Sequence, residues 1–198
     1  MYLTKIGMDL RHPSARQGLK DRQDLHRNLA QAFSGKFLYR VLTRSDTSSL
    51  LVLSEELPDA GALSARGYQL QETQNVSALK EKYADGAVLH FDLLAAPSKK
   101  AKEDGRDNSR RVFLSTPELR ADWLKRQGDK YGFEVLEVHE PSAEEKLSVG
   151  RNSGVFALTA VELEGVLRIR DAARFWTAWE KGIGPEKAYG LGLMLLRR

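Results

Sequence analysis

What most limits how this chain can fold is an order of hydrophobic periodicities that runs through it twice. Tyr2, Leu3, Ile6 and Met8 alternate as a strand would over residues 1–9. Residues 11–20 are polar and hold Pro13 and Gly18, which reads as a loop. Leu25, Leu29, Ala32 and Phe33 then recur at i, i+4, i+7 and i+8, which predicts an amphipathic helix over 21–34 stopped by Gly35. Strands over Lys36–Thr43 and Ser49–Ser54 flank the polar turn Arg44–Ser48. A short helix near Asp59–Ser64 and strands near Tyr68–Thr73 and Ala87–Ala95 complete the half.

The second series follows the charged stretch PSKKAKEDGRDNSR at 97–110. A strand is expected over Arg111–Leu114, then a helix opened by Thr116-Pro117-Glu118 that carries Leu119, Trp123 and Leu124 and stops near Gly128. Strands over Phe133–His139, Val155–Glu162 and Gly165–Arg170 precede a helix over Ala172–Lys181, which Asp171 caps, and Leu191–Leu196 closes the series. Strand-helix-strand-strand-helix-strand is the order of a ferredoxin-like unit. The expected class is therefore α+β: two tandem ferredoxin-like domains, 1–96 and 111–198, joined by a basic linker at 97–110. A chain of 198 residues can bury enough apolar surface for either one large core or two small ones.

Charge narrows the partners. Residues 1–40 carry eight Lys/Arg against three acids, residues 97–111 six against three, and residues 181–198 four against one. The segments between are net acidic. Three basic islands on an acidic chain suit a polyanion if folding brings them together, and solvated surface charge if it does not. There is no apolar run of membrane-spanning length, so no membrane partner is expected. The absence of cysteine excludes disulfides, thiolate catalysis and cysteine-based zinc sites, and fits a reducing cytoplasm.

The densest local signal is Gly182-Ile183-Gly184-Pro185-Glu186-Lys187-Ala188-Tyr189-Gly190-Leu191-Gly192. Backbone this bare can approach a phosphate chain closely. Nucleotide-cofactor loops place their glycines after a strand and before a helix, so that a helix N-terminus faces the phosphate. Here the helix comes first, and no G-x-x-x-x-G-K-[ST] is present, so no nucleotide cofactor is expected. An ordinary helix stop accounts for Gly182, but not for Gly184, Gly190 and Gly192 together.

The pattern GIGPEKAYGLGLMLL resembles the C-terminal glycine-rich motif of CRISPR repeat-processing endoribonucleases, and is most similar to the CasE (Cse3) type, the RNA-processing subunit of the type I-E Cascade complex. The opening MYLTKI, the segment DLHRNLAQAF and the closing VELEGVLRIRDAARFWTAWEKGIGPEKAYGLG agree with that family, whereas about residues 45–150 agree mainly in layout. Members have two ferredoxin-like domains in tandem.

The resemblance implies that His26 is the catalytic histidine. On the helical wheel it lies beside the apolar stripe, where it can face a groove. His90 and His139 fall on predicted strands and read as packing or edge residues. The implied reaction is metal-independent, with no cofactor: the ribose 2′-hydroxyl attacks the adjacent phosphorus, leaving a 2′,3′-cyclic phosphate and a 5′-hydroxyl at the 3′ base of a repeat stem-loop. An imidazole of near-neutral pKa can serve as base or acid there, and Lys20, Arg27 and Lys36 are nearby cations. Many relatives carry tyrosine three residues before the histidine, where this chain has Gln23; His12 is a candidate second acid–base group. Expected RNA contacts are Arg27, Lys36, Lys99, Lys100, Lys102, Arg110, Arg111, Gly182, Gly184, Lys187, Gly190 and Gly192. The RNP1 octamer of RRM sheets is not visible, so the stem is expected to be read by shape and charge. The implied partners are CRISPR repeat RNA and Cascade backbone subunits. A non-catalytic hairpin-binding subunit is the alternative, and a ferredoxin-like protein-interaction module a third. Trp123, Phe175, Trp176 and Trp179 read as core.

Overall fold

The computed structural model describes residues 1–44, 47–101, 110–151 and 154–198. Its elements are β1 (Tyr2–Met8), α1 (Pro13–Lys20), α2 (Arg22–Ala30), β2 (Phe37–Arg44), β3 (Thr47–Ser54), α3 (Ala60–Ser64), β4 (Tyr68–Asn75), α4 (Leu79–Lys82), β5 (Val88–Ala95), β6 (Ser98–Ala101), β7 (Arg110–Phe113), α5 (Pro117–Tyr131), β8 (Phe133–His139), β9 (Glu145–Arg151), β10 (Gly154–Ile169), α6 (Ala172–Lys181) and β11 (Met194–Arg197).

Two antiparallel sheets carry the fold. The first runs β2-β3-β1-β4 and the second β11-β5-β10-β8. Numbered within its own half, each sheet has the order 2-3-1-4 or its reverse, so each half is a ferredoxin-like unit, as the α+β reading expects. The strand over 87–95 is the exception to that reading. β5 pairs with β10 from Val161↔Ala95 to Arg168↔Val88, and with β11 from Met194↔Leu93 to Arg197↔His90. It is the first strand of the second sheet, so the sheets divide between residues 75 and 88 rather than at 96. The Arg111–Leu114 segment does not start the second sheet either. β7 pairs with β6 as a separate two-stranded hairpin, Ser98↔Phe113 to Ala101↔Arg110, which takes up both ends of the expected linker.

Three local readings also change. Residues 13–20 are a helix: Pro13 occupies its first turn, where no amide is needed, and the His12 ring nitrogen Nδ1 accepts the Ser14 amide at 3.2 Å. The two strands expected over 155–170 are one, β10, whose first half pairs with β9 and whose second half pairs with β8 and β5. β9 itself, EKLSVGR, was hidden by its polar composition. α5 runs past Gly128 to a left-handed stop at Gly132.

One core lies under α1, α2 and α3 against the first sheet and holds Ile6, Leu25, Leu29, Tyr39, Leu50 and Tyr68. The larger core fills the second half with Phe91, Trp123, Phe175, Trp176 and Trp179, as expected of those aromatics, and takes in Leu38 and Leu53 from the first sheet. Where the halves meet, the Arg40 guanidinium is almost fully buried. It donates to Asp92 at 2.5 Å and to Glu162, which lie on β5 and β10. No described helix is long and apolar enough to cross a membrane.

Candidate functional site

His26 is placed by the helix that the periodicity predicts. Leu25 and Leu29 are fully buried and fix the rotation of α2, which leaves the next residue at the edge of the core. The imidazole stacks on Phe37, with centroids 5.2 Å apart and planes at 26°, and Tyr39 lies behind at 6.4 Å. Its Nδ1 is buried and has no hydrogen-bond partner among the described residues. Burial therefore holds the imidazole below its ordinary pKa, which keeps the ring neutral near pH 7.

The N-terminus of this helix is tied to the other half. The Asp21 carboxylate accepts the amides of Gln23 at 2.8 Å and of Gly150 on β9 at 3.1 Å. Arg22 is buried beside it, 3.6 Å from Glu145, with one guanidinium nitrogen unpartnered among the described residues. Arg27 is exposed and pairs with Asp24 at 3.0 Å, one turn away. Lys36 is exposed and directly precedes the ring on which His26 stacks. Lys20 is exposed at the end of α1. Gln23 is half-buried one turn before His26. His12 is occupied as a helix cap, with its Nδ1 taken by Ser14. His90 is an exposed strand residue, and His139 sits 3.8 Å from Glu164 on the sheet surface.

The glycine-rich loop packs against this helix. A 3-10 turn, Lys187–Tyr189, lies on α2 and β2. Tyr39, fully buried, donates its hydroxyl to the carbonyl of Ala188 at 3.0 Å, with the carbonyl of Arg22 at 3.2 Å. One phenol thus ties the loop to the helix that carries His26. Burial pushes its pKa far up, so it exchanges no proton near neutrality.

The glycines are needed where the loop packs against protein. Gly182, Gly184, Gly190 and Gly192 all have positive φ, between 79° and 90°. A Cβ at each would meet Leu38, Trp123, the Tyr39 ring and the Ile183 carbonyl, respectively, at 2.8–3.0 Å. Lacking Cβ, these four residues let the loop close down on protein. Of the expected contacts in the loop, Lys187 is the one with a cation. It is half-buried, and burial holds its ammonium below the ordinary pKa.

The basic hairpin meets the other side of the loop. A cleft of about 500 Å³ is lined by Ser98, Arg111 and Val112 of β6 and β7, by Phe156 and Leu158 of β10, and by Pro185 and Glu186 of the loop. Phe156 packs edge-on against Tyr189 at 6.3 Å. Lys99, Lys100 and Arg111 are exposed on the hairpin, and the backbone of Arg110 belongs to β7. Lys102 lies outside the described residues. The structure thus brings His26, Lys187 and the hairpin cations around one loop. Tyr39 and Arg40 carry the junction and were missed by sequence reasoning: both sit at ordinary strand positions, and only the long-range pairing reveals their partners.

Residues 1–198 match the model of a family described as CRISPR associated protein. The chain is similar to the CRISPR-associated endoribonuclease Cse3 of Thermus thermophilus, 29% identical over 215 residues that cover 98% of each protein. It is also similar to the CRISPR system Cascade subunit CasE of Escherichia coli, 28% identical over 211 residues that cover 99% of this chain and 98% of that one. A solved structure of the CRISPR endoribonuclease Cse3 bound to 19 nt RNA superposes with a TM-score of 0.87, at 28% identity over the whole of both chains.

Proposed function

This chain belongs to the CRISPR-associated protein family and is of the Cse3/CasE type, and from that premise we propose that it binds the stem-loop of CRISPR repeat RNA and cleaves it at the 3′ base of the stem. The observation that carries the reading is His26: a neutral imidazole held at the edge of a buried aromatic stack, beside the loop on which the cationic elements converge.

A neutral ring suits the role of base. Its Nδ1 is buried, so Nε2 is the nitrogen that meets substrate. It takes the proton of the ribose 2′-hydroxyl as that oxygen bonds to phosphorus. The bond from phosphorus to the 5′-oxygen breaks, and that oxygen leaves as a hydroxyl after taking a proton from water. A positioned base contributes on the order of 10²–10⁴-fold. Lys36 supplies positive charge to the phosphorane, where electrostatic stabilisation counts most. Gln23 can hydrogen-bond to the substrate but cannot trade a proton. The step uses no metal and no cofactor. After cleavage the protein keeps the processed stem-loop and joins backbone subunits of a Cascade-like complex, as its relative CasE is a Cascade subunit.

The departure at Gln23 favours a second reading, a non-catalytic subunit that only holds the hairpin. Incubation of the pure protein with a hairpin repeat in EDTA, followed by analysis of the termini, separates the two. The proposal expects a 2′,3′-cyclic phosphate and a 5′-hydroxyl, with no product from His26→Ala protein or from RNA carrying a 2′-deoxy scissile nucleotide. Tight binding with no cleavage by the unsubstituted protein would favour the second reading.

A further inference from the structure

A second cleft, of about 490 Å³, lies between the end of α5, one face of α6 and the glycine loop. Four cations from three elements line it: Lys130, Arg174, Lys181 and Lys187. Its floor is uncharged, formed by Ala173, Thr177 and Ala178, and Tyr131 stands at its wall with Lys130 5.0 Å from the ring. Lys130, Lys181 and Lys187 make no ion pair with a carboxylate among the described residues, whereas Arg174 pairs with Asp171 at 4.0 Å and donates to the carbonyls of Asp129 at 2.8 Å and Lys130 at 2.5 Å. The Lys187 ammonium is half-buried and feels both Lys130 and Lys181, which oppose its charge. Three lysines collected in a concave site without a carboxylate partner store a potential that an incoming anion relieves.

Resting on the reading of this protein as a hairpin-RNA endoribonuclease, we propose that this cleft binds an unpaired strand of RNA running past the stem-loop, with Lys130, Arg174, Lys181 and Lys187 on its phosphates and Tyr131 against a base. Two observations favour an RNA strand over an acidic protein surface. The cleft shares Lys187 with the loop that touches α2, so it continues the site that holds the hairpin. It also combines a cationic track with an aromatic face, the pairing that single-stranded nucleic acid uses and an acidic peptide does not need.

The test uses the full chain with Lys130 and Lys181 both changed to Ala. Both side chains are exposed, so the fold should survive, and a circular dichroism melt checks that it does. The probes are an RNA hairpin blocked by a 2′-deoxy scissile nucleotide, either bare or extended by about eight unpaired nucleotides on the 5′ or the 3′ side. The expected result is that one extension tightens binding to the unsubstituted protein. The double variant then loses about five- to tenfold of that gain at low salt, its salt slope falls by about 1.4 for the two single-strand contacts, and the bare hairpin binds as before. An unchanged gain in the variant, no gain from either extension, or an equal loss for the bare hairpin would each overturn the proposal. Failure of the unsubstituted protein to bind the bare hairpin would instead sink the function on which it rests.

Discussion

The two ferredoxin-like halves share a strand order but use their helices differently. In the N-terminal half α2 is short and polar. It buries Leu25 and Leu29 and leaves His26 at the rim, stacked on Phe37. In the C-terminal half α6 buries Phe175, Trp176, Ala178 and Trp179, so its apolar face has become core. That half adds what the first lacks: the β6–β7 hairpin, the β9–β10 extension and the glycine loop. One scaffold therefore holds the histidine proposed as base while its repeat holds the loops around it. Neither half completes the site alone, because Asp21 and Tyr39 of the first are bonded to Gly150 and Ala188 of the second.

If that division is right, the seam should be the costliest place to cut. Arg40→Ala leaves Asp92 and Glu162 facing each other without their shared cation. We expect a loss of about 3–5 kcal/mol in urea unfolding, since removing one partner strands buried charge. A loss below about 1 kcal/mol would mean that the halves are held mainly by apolar contact.

Next in size is Gly190→Ala. It asks a residue with Cβ to keep a φ of 84° and to sit 2.9 Å from the Tyr39 ring. About 1–3 kcal/mol of strain is expected, and the loop should lift from α2. Hydrogen exchange at residues 182–192 should rise while the β1–β4 sheet stays protected. Faster exchange in both would show that the loop is part of the N-terminal core rather than a separate layer on it.

Tyr39→Phe keeps the ring and removes the hydroxyl that joins Ala188 to α2. A loss of about 1–2 kcal/mol is expected, close to tenfold if it appears in the cleavage rate at saturating RNA. The buried phenol stays protonated, so the shape of the pH profile should not change. A lost limb in that profile would assign Tyr39 a proton instead of a position.

The smallest effect is in pH. The His26 pKa is lowered in the folded protein by burial, so the folded state binds its proton less readily than the unfolded chain. The associated stability is fully present above the unfolded value of about 6.5 and is lost as pH falls through the lower folded value. Cleavage should follow the same direction: flat above about pH 6.5, and falling only below it. A limb above about pH 7 would contradict a buried, neutral base.

Much of this arrangement was legible in the chain, for reasons that differ by element. The period of α2 survives because one face is buried, and burial writes itself into spacing, while β2 and β3 were legible from the polar turn between them. α1 was hidden because Pro13 and Gly18 read as breakers. Pro13 is in the first turn, and Gly18 is small because Tyr68 and Leu25 press on it. β5 was legible as a strand but not as a member of the second sheet, because periodicity carries no information about partners. The glycine loop shows the same limit at the site. Four missing Cβ atoms announce a close approach, but only the fold says that the approaching atoms are those of Leu38, Trp123, Tyr39 and Ile183.

The most direct test of the division between the halves is a paired measurement on His26→Ala with a hairpin repeat in EDTA: the single-turnover cleavage rate at saturating RNA, and the Kd for an uncleavable 2′-deoxy hairpin. The rate should fall by at least about 10²-fold while the Kd stays within about twofold, because the loop and the basic hairpin proposed to hold RNA are untouched. A variant that still cuts at the normal rate, or one whose Kd collapses along with its rate, would contradict that division.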